Sequence, residues 1–296
     1  MAKQTDDAAT HQLQCMEIFG ANRTSQRFIE SPGLDIWLDS RELDGDYGGD
    51  VHYISTCGSG HVSRVTLADV SGHGAAVDQV ARRLRDLMRK HINTFDQTSF
   101  AQQLNQDMLA DEQSEKFATV LLMTYFTPTH HLVVCNAGHP RPLWFSTLAG
   151  EWRWLDENTP DAGESLRASR ATYHLRSIAN VPLGILQPGN YSQFAIQLAP
   201  GDRVILYTDG VTEAQNPAGE LLGERRWLEL VRGLGPLPAR QLGPALLRAL
   251  DDWRGGAAPD DDQTLLVLEH TASGPPQLNL VRTLRTLMKL IGLSRV

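Results

Sequence analysis

Cysteine is scarce in this chain: Cys15, Cys57 and Cys135 are odd in number, widely spaced and without a C-x-x-C pair in 296 residues. That excludes a disulfide framework and the usual zinc spacings, and it fits a reducing, cytoplasmic setting. No apolar run approaches the roughly 18 residues that suggest a membrane-spanning helix. A basic excess is missing as well. The 27 Lys and Arg stand against 35 Asp and Glu, a net charge of −8, which argues against nucleic-acid binding as the main activity. The opening Met1-Ala2-Lys3-Gln4-Thr5-Asp6-Asp7 lacks the basic-then-apolar profile of a secretory leader, so no export is expected. No internal repeat is visible. What is there is 41% hydrophobic residues, enough to bury a substantial core.

The polar stretch 1–30 reads as an N-terminal extension with a short helix around Leu13, Met16, Ile18 and Phe19. Strand-like runs follow at residues 34–38, 51–55 and 62–69, with Gly58-Ser59-Gly60 as a hairpin turn. Residues 75–92 place Val77, Val80, Ala81, Leu84, Leu87 and Met88 at helical spacing, with Arg82, Arg83, Arg85, Arg89 and Lys90 between them. A second helix is expected at 99–110. The runs 118–126 and 132–137 read as a hairpin through Thr127-Pro128-Thr129-His130. Trp152 and Trp154 mark one more strand before a charged loop or flap, within 146–180. Strands resume at 194–198 and 203–207, helices at 222–232 and 239–253, and a last strand at 263–268. This order predicts an α+β fold of packed sheets with helices outside, spanning 31–270 as one domain. Residues 271–296 are expected to form a linker and a basic amphipathic helix.

Four carboxylates share one setting, a strand end or turn beside glycine or another acid: Asp50 after Gly48-Gly49, Asp69 before Val70-Ser71-Gly72, Asp209 before Gly210, and Asp261 in an acidic run. Clustered carboxylates suit hard, oxygen-preferring cations such as Mg²⁺ or Mn²⁺. Two such ions roughly 3.5–4 Å apart hold and deprotonate a water that attacks phosphorus in line. Singly, each of these motifs marks a surface turn more often than a metal site. Their conjunction points to a phosphate-ester hydrolase.

The motifs Gly48-Gly49-Asp50, Ala68-Asp69-Val70-Ser71-Gly72-His73-Gly74, Asn136-Ala137-Gly138-His139-Pro140, Pro182-Leu183-Gly184, Tyr207-Thr208-Asp209-Gly210-Val211-Thr212-Glu213-Ala214 and Asp261-Asp262-Gln263-Thr264 occur in that order. Together they resemble the metal-dependent serine/threonine protein phosphatases of type 2C (the PPM family), in the bacterial SpoIIE/RsbU-like branch. The resemblance covers residues 35–270. It implies a β-sandwich of two antiparallel sheets flanked by helix pairs, in α/β/β/α layers, with two Mg²⁺ or Mn²⁺ ions at one end. Carried over residue by residue, Asp69 bridges both ions, Asp50 and the Val70 carbonyl serve one, and Asp209 and Asp261 serve the other. The implied activity is hydrolysis of phosphoserine or phosphothreonine on a signalling protein, such as an anti-sigma-factor antagonist. The helices at 75–110 correspond to the pair through which a regulatory partner switches the site. A catalytically silent module of the same fold that binds a phosphoprotein is the alternative.

The chain departs from the family pattern around the first motif, where Asp46 precedes Gly48-Gly49-Asp50 and rivals Asp50 as a ligand. The 19 residues from Asp50 to Asp69 match a single hairpin better than the 23 from Asp46. No sensor domain is read ahead of the catalytic region, so regulation is expected in trans or through the ends. His73 and His139 read as helix-start and turn residues, and His130-His131 as an exposed turn. The arginines of 75–92 read as a solvated face, or as a steering face for an acidic partner. In the tail, Val281, Leu284, Leu287, Met288 and Ile291 form a stripe among Arg282, Arg285, Lys289 and Arg295. It reads as a docked helix or homodimer contact, and secondarily as a peripheral membrane segment.

Overall fold

The computed structural model of the chain describes residues 10–14, 17–43, 48–57, 60–72, 75–110, 116–159 and 180–274. Two sheets stack face to face. One holds β1 (Thr10–Gln12), β3 (Ser25–Ser31), β4 (Leu34–Arg41), β13 (Gln263–His270), β12 (Arg203–Tyr207), β9 (Leu143–Ser146) and β10 (Glu151–Trp154), in that spatial order. The other holds β11 (Phe194–Gln197), β8 (His131–Ala137), β7 (Ala118–Phe126), β6 (Val62–Val70), β5 (Asp50–Cys57) and β2 (Ile18–Ala21). Pairings are antiparallel except β1 with β3. Helices α1 (Ala75–Lys90) and α2 (Gln97–Leu109) cover the second sheet, and α4 (Gly223–Leu234) and α5 (Ala239–Trp253) cover the first. A single-turn α3 (Asp209–Thr212) follows β12. The expected α/β/β/α sandwich is therefore observed.

The sequence pattern explains the layering. Central strands are covered on both faces, so they read as nearly unbroken apolar runs rather than alternating ones. On β7, Leu121, Met123 and Tyr125 enter the layer between the sheets, while Val120 and Leu122 meet α1 and α2. On α1, Val77, Ala81, Leu84 and Met88 lie on that sheet at i, i+4, i+7 and i+11. On the other side Leu242, Leu246 and Leu250 of α5 join Trp37 of β4. The approach is so close that a Cβ on Gly243 would run into the Trp37 ring.

Where a short helix was expected around Leu13, Met16, Ile18 and Phe19, the described residues form β1 just before Leu13 and β2 over Ile18 and Phe19, with Met16 outside the described residues; β3 follows. The backbone pairing offered by open sheet edges outweighs weak local helix propensity there. β9 was not anticipated either. Helix α2 begins at Gln97 rather than 99 because the Asp96 carboxylate accepts the Ser99 N–H at 2.7 Å, an N-cap. His130 is half-buried rather than exposed, with its Nδ1 3.0 Å from the Tyr125 hydroxyl and 3.1 Å from His270 Nε2. The α1 face is likewise paired, not merely solvated. Arg82 Nε donates to Asp78 at 2.9 Å, and Asp107 of α2 accepts Lys90 at 2.8 Å and contacts His91 at 2.7 Å. The loop or flap expected within 146–180 falls mostly at 160–179, and the tail at 275–296; both ranges lie outside the described residues, as do Gly58, Ser59 and Asp46. Among the described residues no helix is long and apolar enough to cross a membrane.

Sheet register also creates a local charge conflict. Asp35 stands directly opposite Glu30 on β3 and Glu269 on β13, and like charges in such positions destabilise a sheet. Burial, then Glu30 and Glu269, push the Asp35 carboxyl up to about 6 against the pull of Arg240. A carboxyl raised above its unfolded value binds more protons in the folded state, so stability falls as pH rises from about 4 to about 6. Asp35→Asn is therefore expected to stabilise the protein at pH 7 by about 1 kcal/mol after solvent screening. The gain should fade below pH 4, as urea denaturation at the two pH values will show.

Candidate active site

The β5–β6 hairpin sets Asp50 directly opposite Asp69, and Asp69 opposite Thr119 on β7. Directly opposed residues place their Cβ atoms about 4.5–5.5 Å apart, so two carboxylates share one end of the sheet. Asp50 is 1% exposed and turns toward the facing sheet. There the Thr208 hydroxyl donates to Asp50 Oδ2 at 2.9 Å, which brings the end of β12, and hence Asp209 in α3, to the same place. β12 pairs with β13, so the Asp261-Asp262 entry to β13 arrives beside Asp209. A Cβ on Gly210 would collide with the Asp262 carbonyl; glycine is what lets these two segments touch.

The electrostatics follow from this crowding. Burial, then Asp209, Asp261, Asp262 and Glu213, push the Asp69 carboxyl up to about 7. Asp50 is held well above the usual carboxylate range by burial and then by Asp69, against the Thr264 and Thr208 side chains. Asp209 is raised by burial, Glu213 and Asp261, with backbone N–H groups opposing. Among the described residues no three His, Cys, Asp or Glu side chains close around one point in coordinating geometry. The carboxylates gather at one end of the sandwich without converging. Their chemistry nonetheless fits Mg²⁺ or Mn²⁺: oxygen-only donors with an excess of negative charge that a cation relieves. Gly49 supports the fit, since a Cβ there would sit 3.0 Å from the Val70 carbonyl oxygen and 3.5 Å from Asp69 Oδ1. Its absence spares the Val70 carbonyl oxygen a tight contact in a space that Val77 Cγ1 also borders at 3.0 Å.

Four residues escaped the sequence reading. Asp262 accepts the Gly49 N–H at 2.6 Å and the Leu43 N–H at 2.8 Å, clamping the loop that carries Asp50. Glu42 lies against that loop, and burial together with Asp262 raises its carboxyl to about 8. Glu213 adds negative charge one helical turn from Asp209, donating its N–H to the Asp209 carbonyl at 2.7 Å. Asn22 donates Nδ2 to Asp78 of α1 at 2.8 Å and to the Gly48 carbonyl at 3.3 Å, tying α1 to the same loop. Only Asp262 and Glu213 had a signal, their place inside the Asp-Asp-Gln-Thr and Asp-Gly-Val-Thr-Glu motifs. Which of two consecutive acids points into a site depends on strand direction, which the motif does not carry.

His139 takes the turn role expected of it. Its N–H donates to Asn136 Oδ1 at 2.8 Å, and Asn136 Nδ2 donates back to the His139 carbonyl at 2.9 Å. Its ring is buried with Nδ1 2.9 Å from the Thr119 hydroxyl, and burial drives it down to about 3, so it stays neutral. His73 lies outside the described residues.

Comparison with known proteins gives these positions a setting. The family model described as Stage II sporulation protein E (SpoIIE) matches residues 59–271. The phosphoserine phosphatase RsbP of Bacillus subtilis (strain 168) is 22% identical over 235 residues, covering 78% of this chain and 50% of RsbP. The chain spans about half the length of the curated relatives it matches. Among solved structures, the RsbU and RsbW domains of Rv1364c from Mycobacterium tuberculosis superpose with a TM-score of 0.65 at 20% identity, covering 97% of this chain and 72% of that one. RsbX in complex with magnesium superposes with a TM-score of 0.56 at 17% identity, covering 82% and 98%. These last two are likenesses of fold. Because the family model runs through Asp69, Asp209 and Asp261 and takes in well over half of the residues, the chain belongs to the SpoIIE family.

Proposed function

We propose that this chain is a metal-dependent phosphoprotein phosphatase that hydrolyses phosphoserine or phosphothreonine on a signalling protein. The observation that carries this reading is the register that opposes Asp50 to Asp69 where Thr208-Asp209 and Asp261 arrive from the facing sheet. Asp50, Asp69, the Val70 carbonyl, Asp209 and Asp261 would hold the Mg²⁺ or Mn²⁺ ions, two by the family resemblance. When bound, the ions supply charge neutralisation and an activated water. The chain's own part is positional. Thr208 orients Asp50, Asp262 holds the Gly48–Gly49 turn, and Gly49 spares the Val70 carbonyl a tight contact.

The printed names of relatives support the same reading: RsbP and RsbU are phosphoserine phosphatases, and the RsbX structure holds magnesium. From the sequence resemblance, we infer that the substrate is a phosphorylated signalling protein such as an anti-sigma-factor antagonist. A regulatory protein engages the α1–α2 pair, where a groove of about 460 Å³ runs along Asp78, Arg82, Asp86, Leu87 and Lys90. Asn22 gives that face a short route to the Asp50 loop.

The test is hydrolysis of p-nitrophenyl phosphate and of a phosphoserine peptide by the full chain. Turnover is expected with Mn²⁺, lost in EDTA and restored by excess Mn²⁺. No Mn²⁺-dependent turnover on either compound would replace the enzyme with a silent phosphoprotein-binding module.

A further inference from the structure

Beside the carboxylates lies an apolar surface that neither the core nor the ligand set uses. Phe117 is 40% exposed, Ile185 46% and Leu186 40%. Scattered apolar residues at a surface need no explanation, but these three belong to one assembly. The Phe117 carbonyl accepts the Ser71 N–H at 2.9 Å and its own N–H donates to Ser71 Oγ at 3.2 Å, two residues beyond Asp69. Next to it, Ala118 and Leu183 exchange backbone hydrogen bonds at 3.0 and 2.8 Å. Gly184, at φ +87°, follows so closely that a Cβ there would stand 3.0 Å from the Lys116 carbonyl oxygen and 3.4 Å from the Phe117 Cα. Ile185 and Leu186 leave directly from that contact.

Their presentation is held from below. Asn105 of α2 is 1% exposed; its Oδ1 accepts the Gly184 N–H at 2.8 Å and its Nδ2 donates to the Leu186 carbonyl at 2.9 Å. A buried amide thus grips both ends of a three-residue segment whose aliphatic side chains remain in water. Lys116 adds a cation to the same rim, its Nζ 2.5 Å from where a Gly72 Cβ would lie. An apolar platform set next to the end of β6 that carries Asp69 complements the apolar residues that flank a phosphoserine; the carboxylates behind it repel the phosphate dianion until a cation neutralises them.

We propose that Phe117, Ile185 and Leu186 dock the apolar residues flanking the phosphoserine of the substrate protein, which sets its phosphate at the Asp69 end. This rests on the hydrolase reading above. Asn105 is the positioning residue of the platform, and it makes α2 a lever on substrate docking.

The experiment uses the full chain with Mn²⁺ and two phosphoserine peptides, one with Leu and Ile around the phosphoserine and one with Gly. Binding is read by fluorescence anisotropy and turnover by phosphate release. Wild type is expected to prefer the Leu/Ile peptide by about tenfold, in dissociation constant and in KM more than kcat. Ile185→Ser/Leu186→Ser, and independently Phe117→Ser, should bring that peptide down to the level of the Gly peptide. Hydrolysis of p-nitrophenyl phosphate should not change in either variant. Asn105→Ala should lose the same preference. Equal binding of both peptides by wild type overturns the docking surface, as does a preference that survives both variants. A dimer that the double variant turns into a monomer overturns it too, since the patch is then a self-interface. Preferential binding without turnover of any phosphoester keeps the docking surface and removes the hydrolase reading. Turnover without preference does the reverse.

Discussion

Asp69→Asn is expected to reduce Mn²⁺-dependent phosphate release by about a thousandfold or more while making the metal-free protein more stable. The two effects have one origin. Asp69 is raised to about 7 by burial and by the negative charges of Asp209, Asp261, Asp262 and Glu213, so its ionised form is disfavoured until a cation arrives. An amide has nearly the same shape and no charge. Removing the repulsion is worth about 1–3 kcal/mol once partial exposure is allowed for, or about 2–8 °C in melting temperature for a chain of this size. The sign follows from linkage. The folded-state value lies above the unfolded one, so wild-type stability without metal falls as pH rises from about 4 through 7. The advantage of the variant is therefore greatest above pH 7 and vanishes near pH 4. Mn²⁺ should reverse the order, stabilising wild type by about 2.7 kcal/mol at a hundredfold excess over its dissociation constant and the variant hardly at all. Thermal melts at pH 8 in EDTA and in Mn²⁺, beside a p-nitrophenyl phosphate assay, check all of this. A metal-free Asp69→Asn protein less stable than wild type would show that the carboxylate is held by attractive contacts instead.

Asp262→Ala is the second large effect, and it falls on a residue with no assigned ligand role. Its carboxylate satisfies the Gly49 and Leu43 N–H groups at 2.6 and 2.8 Å, and hydrogen bonds to a charged acceptor contribute about 1.5–3 kcal/mol each. Removing Asp262 also relieves Asp69 of one repulsive neighbour. That opposing gain acts through space on a partly exposed group, so the lost hydrogen bonds should dominate, with a net loss of about 2–4 kcal/mol. The functional consequence is looser placement of Asp50, which follows Gly49. Half-saturation by Mn²⁺ is expected to rise about 10–100-fold, as when outer partners of metal ligands are removed, with a smaller change in turnover at saturating metal. Asp262→Asn should fall between, because its amide oxygen serves one N–H while its NH₂ opposes the other. Urea denaturation and a Mn²⁺ titration of activity decide. An unchanged metal requirement would mean that β13 and the strand ladder alone fix the Asp50 loop.

Much of the architecture was legible from local pattern. The 118–126 and 132–137 hairpin and the 239–253 helix lie where their periodicity placed them, because a strand or helix covered by neighbours on its apolar side records that burial residue by residue. The strands before residue 30 were not legible. Ser25–Ser31 alternates weakly, with Phe28 facing α5 and Ile29 facing the other sheet, and its partners β4 and β1 are what make it a strand. The four acids of the site were found by their glycine and acidic neighbours. Asp262, Glu42 and Asn22 were not found, since each acts on the Asp50 turn through space: Asp262 accepts the Gly49 N–H, Asn22 donates to the Gly48 carbonyl, and the Glu42 carboxylate packs where a Gly48 Cβ would lie.

By itself, then, the sequence determined the layered α+β class and the four carboxylates at strand ends, since both are written in short-range spacing and in residue type. Tertiary structure alone decided which of those acids face one another, how far each is raised by its neighbours, and which neutral or anionic groups hold the Asp50 loop in place. It also placed Phe117 beside Ile185 and Leu186 on the rim under the grip of Asn105. The physical reason is the same throughout: charge repulsion and hydrogen bonding depend on distance through space, and the chain brings residues as far apart as Gly49 and Asp262 to within 2.6 Å only when two sheets close on a common core.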